Sequence, residues 1–420
     1  MKRANQTSFA GRPARSGWLA VVLSICAAAP LVSNAQPTNG AGNLDPALVN
    51  RLLQRIEQLE QKAERVDELE SEIKSLQSSS LAAAPAPQLP APREKWPQVE
   101  FNFFGDVDYH ASSDTSVKNS FLLGDFDPVV VAKLSEKAQM LSDFVIASDI
   151  PSGNGFTFEF ERLLLEYDFN DYFHIEAGRF HTVIGYYNDT FHNCTYFQTT
   201  VGRPEIYNFE DHGGILPVHN NGVELTGEIP SGSLGLNYAI QVANGRSYDT
   251  TEPVFQIQDN NDFKAVNVAL WAKPDWAPDW QFGGSAYHDT LTPFGVPKTD
   301  QLIFAAYVVY RSTVFEWLNE GILMRDAPIG QGAHLTSAAY TQISRKFGRF
   351  RPYARVQWRN SPAADPVLAN INENFGTWGP AVGIRYDFAP MMALKLEYDH
   401  TEQTGMVSVD ELFVQWTFRF

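Results

Sequence analysis

Two periodicities divide the chain. From about residue 96 to the end, apolar and polar residues alternate with a period of two, the spacing of side chains on the two faces of a β-strand. In 409–420, Leu412, Val414, Trp416, Phe418 and Phe420 share one face, and Glu411, Phe413, Gln415, Thr417 and Arg419 share the other. In 98–109, Val99, Phe101, Phe103, Val107 and Tyr109 stand against Glu100, Asn102, Asp106 and Asp108. The same reading predicts strands near 118–134, 138–148, 156–168, 172–183, 221–229, 233–243, 263–273, 278–289, 301–311, 314–325, 334–346, 349–360, 377–388 and 391–401, about sixteen in all. Four places strain the pattern. Asp127-Pro128 interrupts its strand, 301–310 is apolar on both faces, and Arg162 and Gly178 break the alternation, as bulges would.

The connections alternate in length. Asn170-Asp171, Pro230-Ser231-Gly232, Ser312-Thr313, Gly348 and Ala389-Pro390 read as tight turns, with longer polar segments at 184–220, 244–262, 290–300 and 361–376 between them. Short turns on one side and long loops on the other predict an all-β transmembrane barrel of about sixteen antiparallel strands. Its apolar face would meet lipid and its polar face a wet lumen. Sixteen strands leave room for an aqueous channel, and an even count puts both ends of the barrel on the short-turn side.

A helical period precedes the barrel. Asp45-Pro46 is a helix start, with a capping acid and Pro in the first turn. Val49, Leu52, Ile56, Leu59, Ala63 and Val66 follow at spacings of 3, 4, 3, 4 and 3, a heptad seam. A stammer leads to Leu69, Ile73 and Leu76, where the seam resumes. A single helix cannot bury so narrow a stripe, so residues 36–77 are expected to hold a short α-helical coiled coil that self-associates. Val, Ile and Ala mix with Leu along the seam and no Asn interrupts it, which allows a trimer. Residues 78–95 form a Pro/Ala-rich linker, extended and semi-rigid. Residues 1–35 read as a signal peptide: Lys2, Arg3, Arg12 and Arg15, then an apolar core, then Ser33-Asn34-Ala35. Ile25 is too large for the position before Cys26 in a lipoprotein site. Removal of the signal leaves Cys194 as the only thiol, so no internal disulfide is expected.

Composition narrows the function. A formal charge of −17 argues against a nucleic-acid partner. No stretch after the N-terminus reaches the ~20 apolar residues of a spanning helix. Alternation names the charges expected in the lumen: Arg351, Arg355 and Arg359 as a basic ladder, Arg385, Lys395, Glu397 and Asp399 on the two strands that follow, and Asp106 and Asp108 on the first. A charge facing lipid at midplane costs roughly 2–4 kcal/mol, which turns these faces inward. The aromatic-rich 184–220 is expected to fold inward as a constriction, with Glu205, Glu210 and Asp211 as its acidic rim. A basic ladder opposed by loop acids implies weak ion selectivity. His181, His192, His212 and His219, with Cys194, show no tight ligand spacing, so neither a metal nor another cofactor is expected. No Ser stands in a recognisable nucleophile motif, so an enzyme is not expected.

The barrel, coil and linker together resemble Gram-negative outer-membrane porins with an N-terminal periplasmic coiled coil. Glu161-Arg162-Leu163-Leu164-Leu165-Glu166-Tyr167, Asn170-Asp171-Tyr172-Phe173 and Gly178-Arg179-Phe180-His181-Thr182 are similar to porin-like proteins, and Gly178–His181 looks like a strand of phosphate-selective porins. The final Phe420 resembles the aromatic signal read by the barrel-assembly machinery. The resemblance implies a passive diffusion channel for small hydrophilic solutes or ions in the outer membrane, surrounded by its lipids, trimeric, with the coil in the periplasm. The alternative is an anchor that tethers the envelope through the coil, to peptidoglycan or a periplasmic partner.

Overall fold

The computed structural model describes residues 96–149, 155–191, 195–248 and 258–420. The expected signal peptide, coiled-coil seam and linker lie outside the described residues, as do His192 and Cys194.

Period-two sequence becomes sixteen antiparallel strands in one closed barrel, each paired with its neighbours in chain order. The first eight are β1 (Gln98–Ser112), β2 (Ser120–Lys133), β3 (Ala138–Asp149), β4 (Gly155–Asn170), β5 (Phe173–His181), β6 (His219–Ile229), β7 (Leu236–Ala243) and β8 (Ala265–Ala272). The rest are β9 (Trp280–Leu291), β10 (Thr299–Arg311), β11 (Phe315–Pro328), β12 (His334–Arg345), β13 (Phe350–Asn360), β14 (Thr377–Ala389), β15 (Met392–Gln403) and β16 (Val409–Arg419). All sixteen stand where alternation puts them, with boundaries moved by three residues or fewer.

Closure removes the free sheet edges. β1 pairs with β16 from Phe104↔Arg419 to Ser112↔Glu411. Beyond that ladder, Phe103 and Phe420 exchange backbone hydrogen bonds of 2.9 Å in both directions, and their rings stack at 5.0 Å.

The strained places resolve individually. Proline has no N–H to donate, and the β2–β3 ladder passes over Asp127 and Pro128 between Phe126↔Ile146 and Val129↔Asp143 without losing register. At the Arg162 break, the β3–β4 register steps by one between Asp143↔Arg162 and Phe144↔Phe160, so Glu161 is the extra residue of a bulge. Gly178 is not a bulge: its pairing with Leu164 keeps the register on both sides. Its φ is +138°, and an added Cβ would lie 2.1 Å from the Leu163 carbonyl oxygen, so glycine is required by close approach.

The outward faces carry exposed apolar residues, among them Phe158, Leu165, Val268, Phe304, Leu396 and Trp416. Aromatic pairs ring the short-turn end, including Phe169–Phe173, Trp280–Tyr310, Phe350–Tyr386 and Phe388–Trp416. The largest apolar core lies inside the barrel. Ile303, Ala305 and Val309 of β10, Leu318 and Ile322 of β11 and Tyr340 of β12 pack there against residues of the β5–β6 connection. That packing is why 301–310 is apolar on both faces: one side is the barrel's exterior, the other is covered from within.

Candidate functional site

The β5–β6 connection, residues 182–218, runs inside the barrel. It holds a short helix, α1 (Tyr187–Phe191), and two 3-10 turns, Glu205–Tyr207 and Glu210–His212. Its stems are clipped together by buried Asn188, whose Nδ2 donates to the Thr182 and Val218 carbonyls at 2.9 Å each. Thr182 N also donates to Val218 O at 3.0 Å. Arg203 organises the interior of the segment: it donates to Tyr207 O at 2.6 Å and Asn188 Oδ1 at 3.2 Å, and lies 4.2 Å over the Phe209 ring.

One continuous arc of the barrel, β11 to β16 and β1, holds the segment. On β11 the buried carboxylate of Glu320 accepts from Tyr186 N at 2.5 Å, Tyr187 N at 3.0 Å and Tyr207 Oη at 2.7 Å, and from Tyr340 Oη of β12. Burial pushes the Tyr187 hydroxyl up to about 12. Burial, with the Glu320 carboxylate beside it, raises Tyr207 well above its ordinary value, so it remains a donor. Glu316 accepts from Thr199 Oγ1 at 2.9 Å on the same wall.

The adjoining arc of wall, from β13 round to β1, is built from the charges that alternation turned inward. Arg355 donates to Gly202 O at 2.7 Å and Thr200 Oγ1 at 3.4 Å. Arg359 pairs with Glu205 at 3.3 Å and Glu373 at 2.6 Å. Arg385 donates to Asp387 at 2.7 Å and to the Tyr196 and Gln198 carbonyls at 2.5 and 2.9 Å. Lys395 Nζ, fully buried, donates to Thr195 O at 2.6 Å and Thr200 O at 2.8 Å. Beside it, Glu397 accepts from Val201 N at 2.9 Å and Gly202 N at 3.1 Å. Asp106 on β1 accepts from Thr195 Oγ1 at 2.8 Å.

The expected basic ladder is therefore not a free row. Arg355 and Arg359 are spent on the segment; Arg351, half-buried, reaches only Ser344 Oγ at 3.5 Å and stands opposite Arg385 in register. Asp108 and Asp399 are half-buried, opposite Gln415 and Glu411 respectively. Nor do Glu205 and Glu210 stand free as a rim. Glu205 takes Arg359 and the Thr377 hydroxyl, and Glu210 is buried against His219. Asp211 lies in the Glu210–His212 turn. For the buried members the physical reason is shared: a charge turned onto the packed segment cannot stay hydrated and must find a partner.

Other connections join the plug. The short helix α2 (Pro366–Asn370), capped by Asp365 Oδ1 on Val367 N at 3.0 Å, buries Val367 and Leu368 in the same core, and Asn370 donates to Tyr248 O at 2.9 Å. Sequence reasoning missed Glu320, the most connected anchor. The available signal was indirect: two-sided apolar sequence in β10 and an aromatic-rich loop each need a cover, and each supplies the other's.

No family model and no curated protein matches the sequence. Solved structures do. The trimer form of OmpT, an outer membrane protein of Vibrio cholerae, is 10% identical, with a TM-score of 0.50 over 77% of this chain and 99% of its own. The outer membrane channel DcaP of Acinetobacter baumannii is 8% identical, with a TM-score of 0.51 over 77% of this chain and 97% of its own. An anion-selective porin from Comamonas acidovorans is 12% identical, with a TM-score of 0.51 over 77% of this chain and all of its own. At these identities the likeness is one of fold.

Proposed function

We propose that the chain is an outer-membrane porin, a non-enzymatic passive diffusion channel for small hydrophilic solutes, narrowed by residues 182–218. The observation that carries this reading is a closed sixteen-strand barrel, apolar outside, with one long connection that leaves β5 and β6 and is tied inside to β11 and β15. An apolar band with aromatic rims suits lipid, and a side-chain-lined lumen of this size suits solute passage. Two proteins of similar fold, an outer membrane channel and an anion-selective porin, accord with it. Liposomes carrying the protein are expected to swell in small sugars and amino acids at rates that fall with solute size. Rates equal to those of empty liposomes would reject the proposal.

Selectivity follows from which charges remain. Arg359 is paired with Glu205 and Glu373 and Arg385 with Asp387, and Arg355 and Lys395 are turned onto carbonyls of the segment, whereas Glu166, Glu176 and Glu224 stand in register across β4, β5 and β6, with no ion-pair partner for the three among the described residues. A weak cation preference is the expected result, read as a reversal potential in a salt gradient at mildly alkaline pH. Glu166→Gln with Glu176→Gln should move that potential toward zero. A wild-type potential on the anion side would contradict this.

Trimeric assembly, with residues 44–77 as a coil on the periplasmic side, belongs to the same proposal. The linker's ~15 residues at ~3.1 Å each span about 45 Å, enough to reach a threefold axis from the barrel. Analytical ultracentrifugation of the isolated 44–77 peptide should show self-association that Ile56→Asp with Leu59→Asp abolishes. A peptide that stays monomeric at high concentration would remove the coil's part.

A further inference from the structure

We propose that the neck of the β5–β6 connection is a divalent-metal site, with zinc the ion its donors suit best. β5 ends on His181 and β6 begins on His219, and the two are cross-strand partners with rings 5.6 Å apart. Glu161 comes to the same place from β4, as the extra residue of the bulge. One donor atom from each of the three lies within 4.8 Å of the other two, and all three residues are buried. Bonds of about 2.0–2.1 Å in a tetrahedron put donors about 3.4 Å apart, so side-chain adjustments of about an ångström complete the set. Two imidazoles and a carboxylate form a zinc ligand set that leaves a fourth position for water or solute.

The surroundings are those of a ligating histidine. Glu210 Oε2 lies 3.1 Å from His219 Nδ1, and Glu210 Oε1 accepts from His219 N at 2.9 Å. On the other side of the ring His219 Nε2 faces Glu161, so an ion that displaced the proton between them would meet a nitrogen and a carboxylate oxygen together. A carboxylate behind the ring and a second nitrogen directed at the ion is the arrangement that orients histidine ligands in metal sites. A proton is the competing occupant: protonated His219 could bridge Glu161 and Glu210. That arrangement uses two carboxylates and one ring. The third donor, His181, lies in the same buried volume with its ring 5.6 Å from that of His219. A metal uses all three donors and staples the two stems of the connection where they leave the barrel wall.

This inference does not depend on solute passage. The test uses full-length protein folded in detergent and dialysed against EDTA. Titration with Zn²⁺ by calorimetry should give about one ion per chain, and Co²⁺ should give visible bands of the intensity expected for tetrahedral coordination. His181→Ala and Glu161→Gln should each weaken Zn²⁺ binding by about ten-fold or more, with circular dichroism unchanged. His219→Ala also removes the Glu210 pair, so the first two variants are decisive. Failure of the wild type to take up Zn²⁺, or uptake unaltered in both variants, would overturn the proposal.

Discussion

Replacing Glu320 with alanine is expected to raise single-channel conductance several-fold and to make the open-channel current noisy. Glu320 is the one carboxylate on the β9–β12 wall that accepts from two backbone amides of the inner segment and from Tyr207 and Tyr340. Hydrogen bonds to a charged group contribute about 1.5–3 kcal/mol each, and donors left buried without an acceptor carry a further cost. Alanine strands two hydroxyls and two N–H groups at once, at about 1–3 kcal/mol for each donor that stays buried and unsatisfied. The aromatic contacts of Tyr187 and Tyr207 remain, so the segment loosens rather than leaves. Glu320→Gln keeps the shape but sets an NH₂ donor against donors, and should fall between wild type and alanine. Conductance in Glu320→Ala equal to wild type would mean that the segment is held by apolar packing alone or lies off the solute path.

The second large effect is expected on β15, four strands round the barrel from Glu320. Lys395→Met and Glu397→Gln should each lower the unfolding midpoint in detergent, and the double variant should be more stable than the two losses added together. Both side chains are fully buried on β15, two residues apart and therefore on one face. Lys395 holds the carbonyls of Thr195 and Thr200, and Glu397 holds the amides of Val201 and Gly202, so the pair grips one short stretch of backbone by both of its polar groups. Removing one charge leaves the other buried without compensation, whereas removing both restores neutrality. A coupling of about 1–3 kcal/mol in the double-mutant cycle is the expected size for such neighbours. Additive losses would show that the two charges act independently.

The barrel was legible because one face of nearly every strand is apolar and a strand's period leaves little choice of register. Even the strained positions were visible as strain, although Gly178 proved to be a close approach and the break marked by Arg162 a bulge at Glu161. That one-residue difference decides which side chain meets His219. Alternation also turned Arg355, Arg359, Arg385, Lys395 and Glu397 inward, but it says nothing about what lies opposite them. Their partners are mostly carbonyls and amides of residues 195–202, nearly two hundred residues away from β15 and β14, and backbone groups leave no mark in composition. Glu320 was missed for the same reason, as a single inward glutamate on β11 reads as ordinary lumen polarity. His181 and His219 stand far apart in sequence and meet only because β5 and β6 pair across the neck of the loop. Spacing rules for metal ligands look along the chain, and this pair is made across it.

Purified full-length protein added to a planar lipid bilayer gives the most direct test of a channel narrowed from within. Discrete, ohmic conductance steps are the expected result for the wild type, with larger steps for Glu320→Ala under the same conditions. A bilayer that stays sealed at high protein load, with the barrel folded, contradicts a pore.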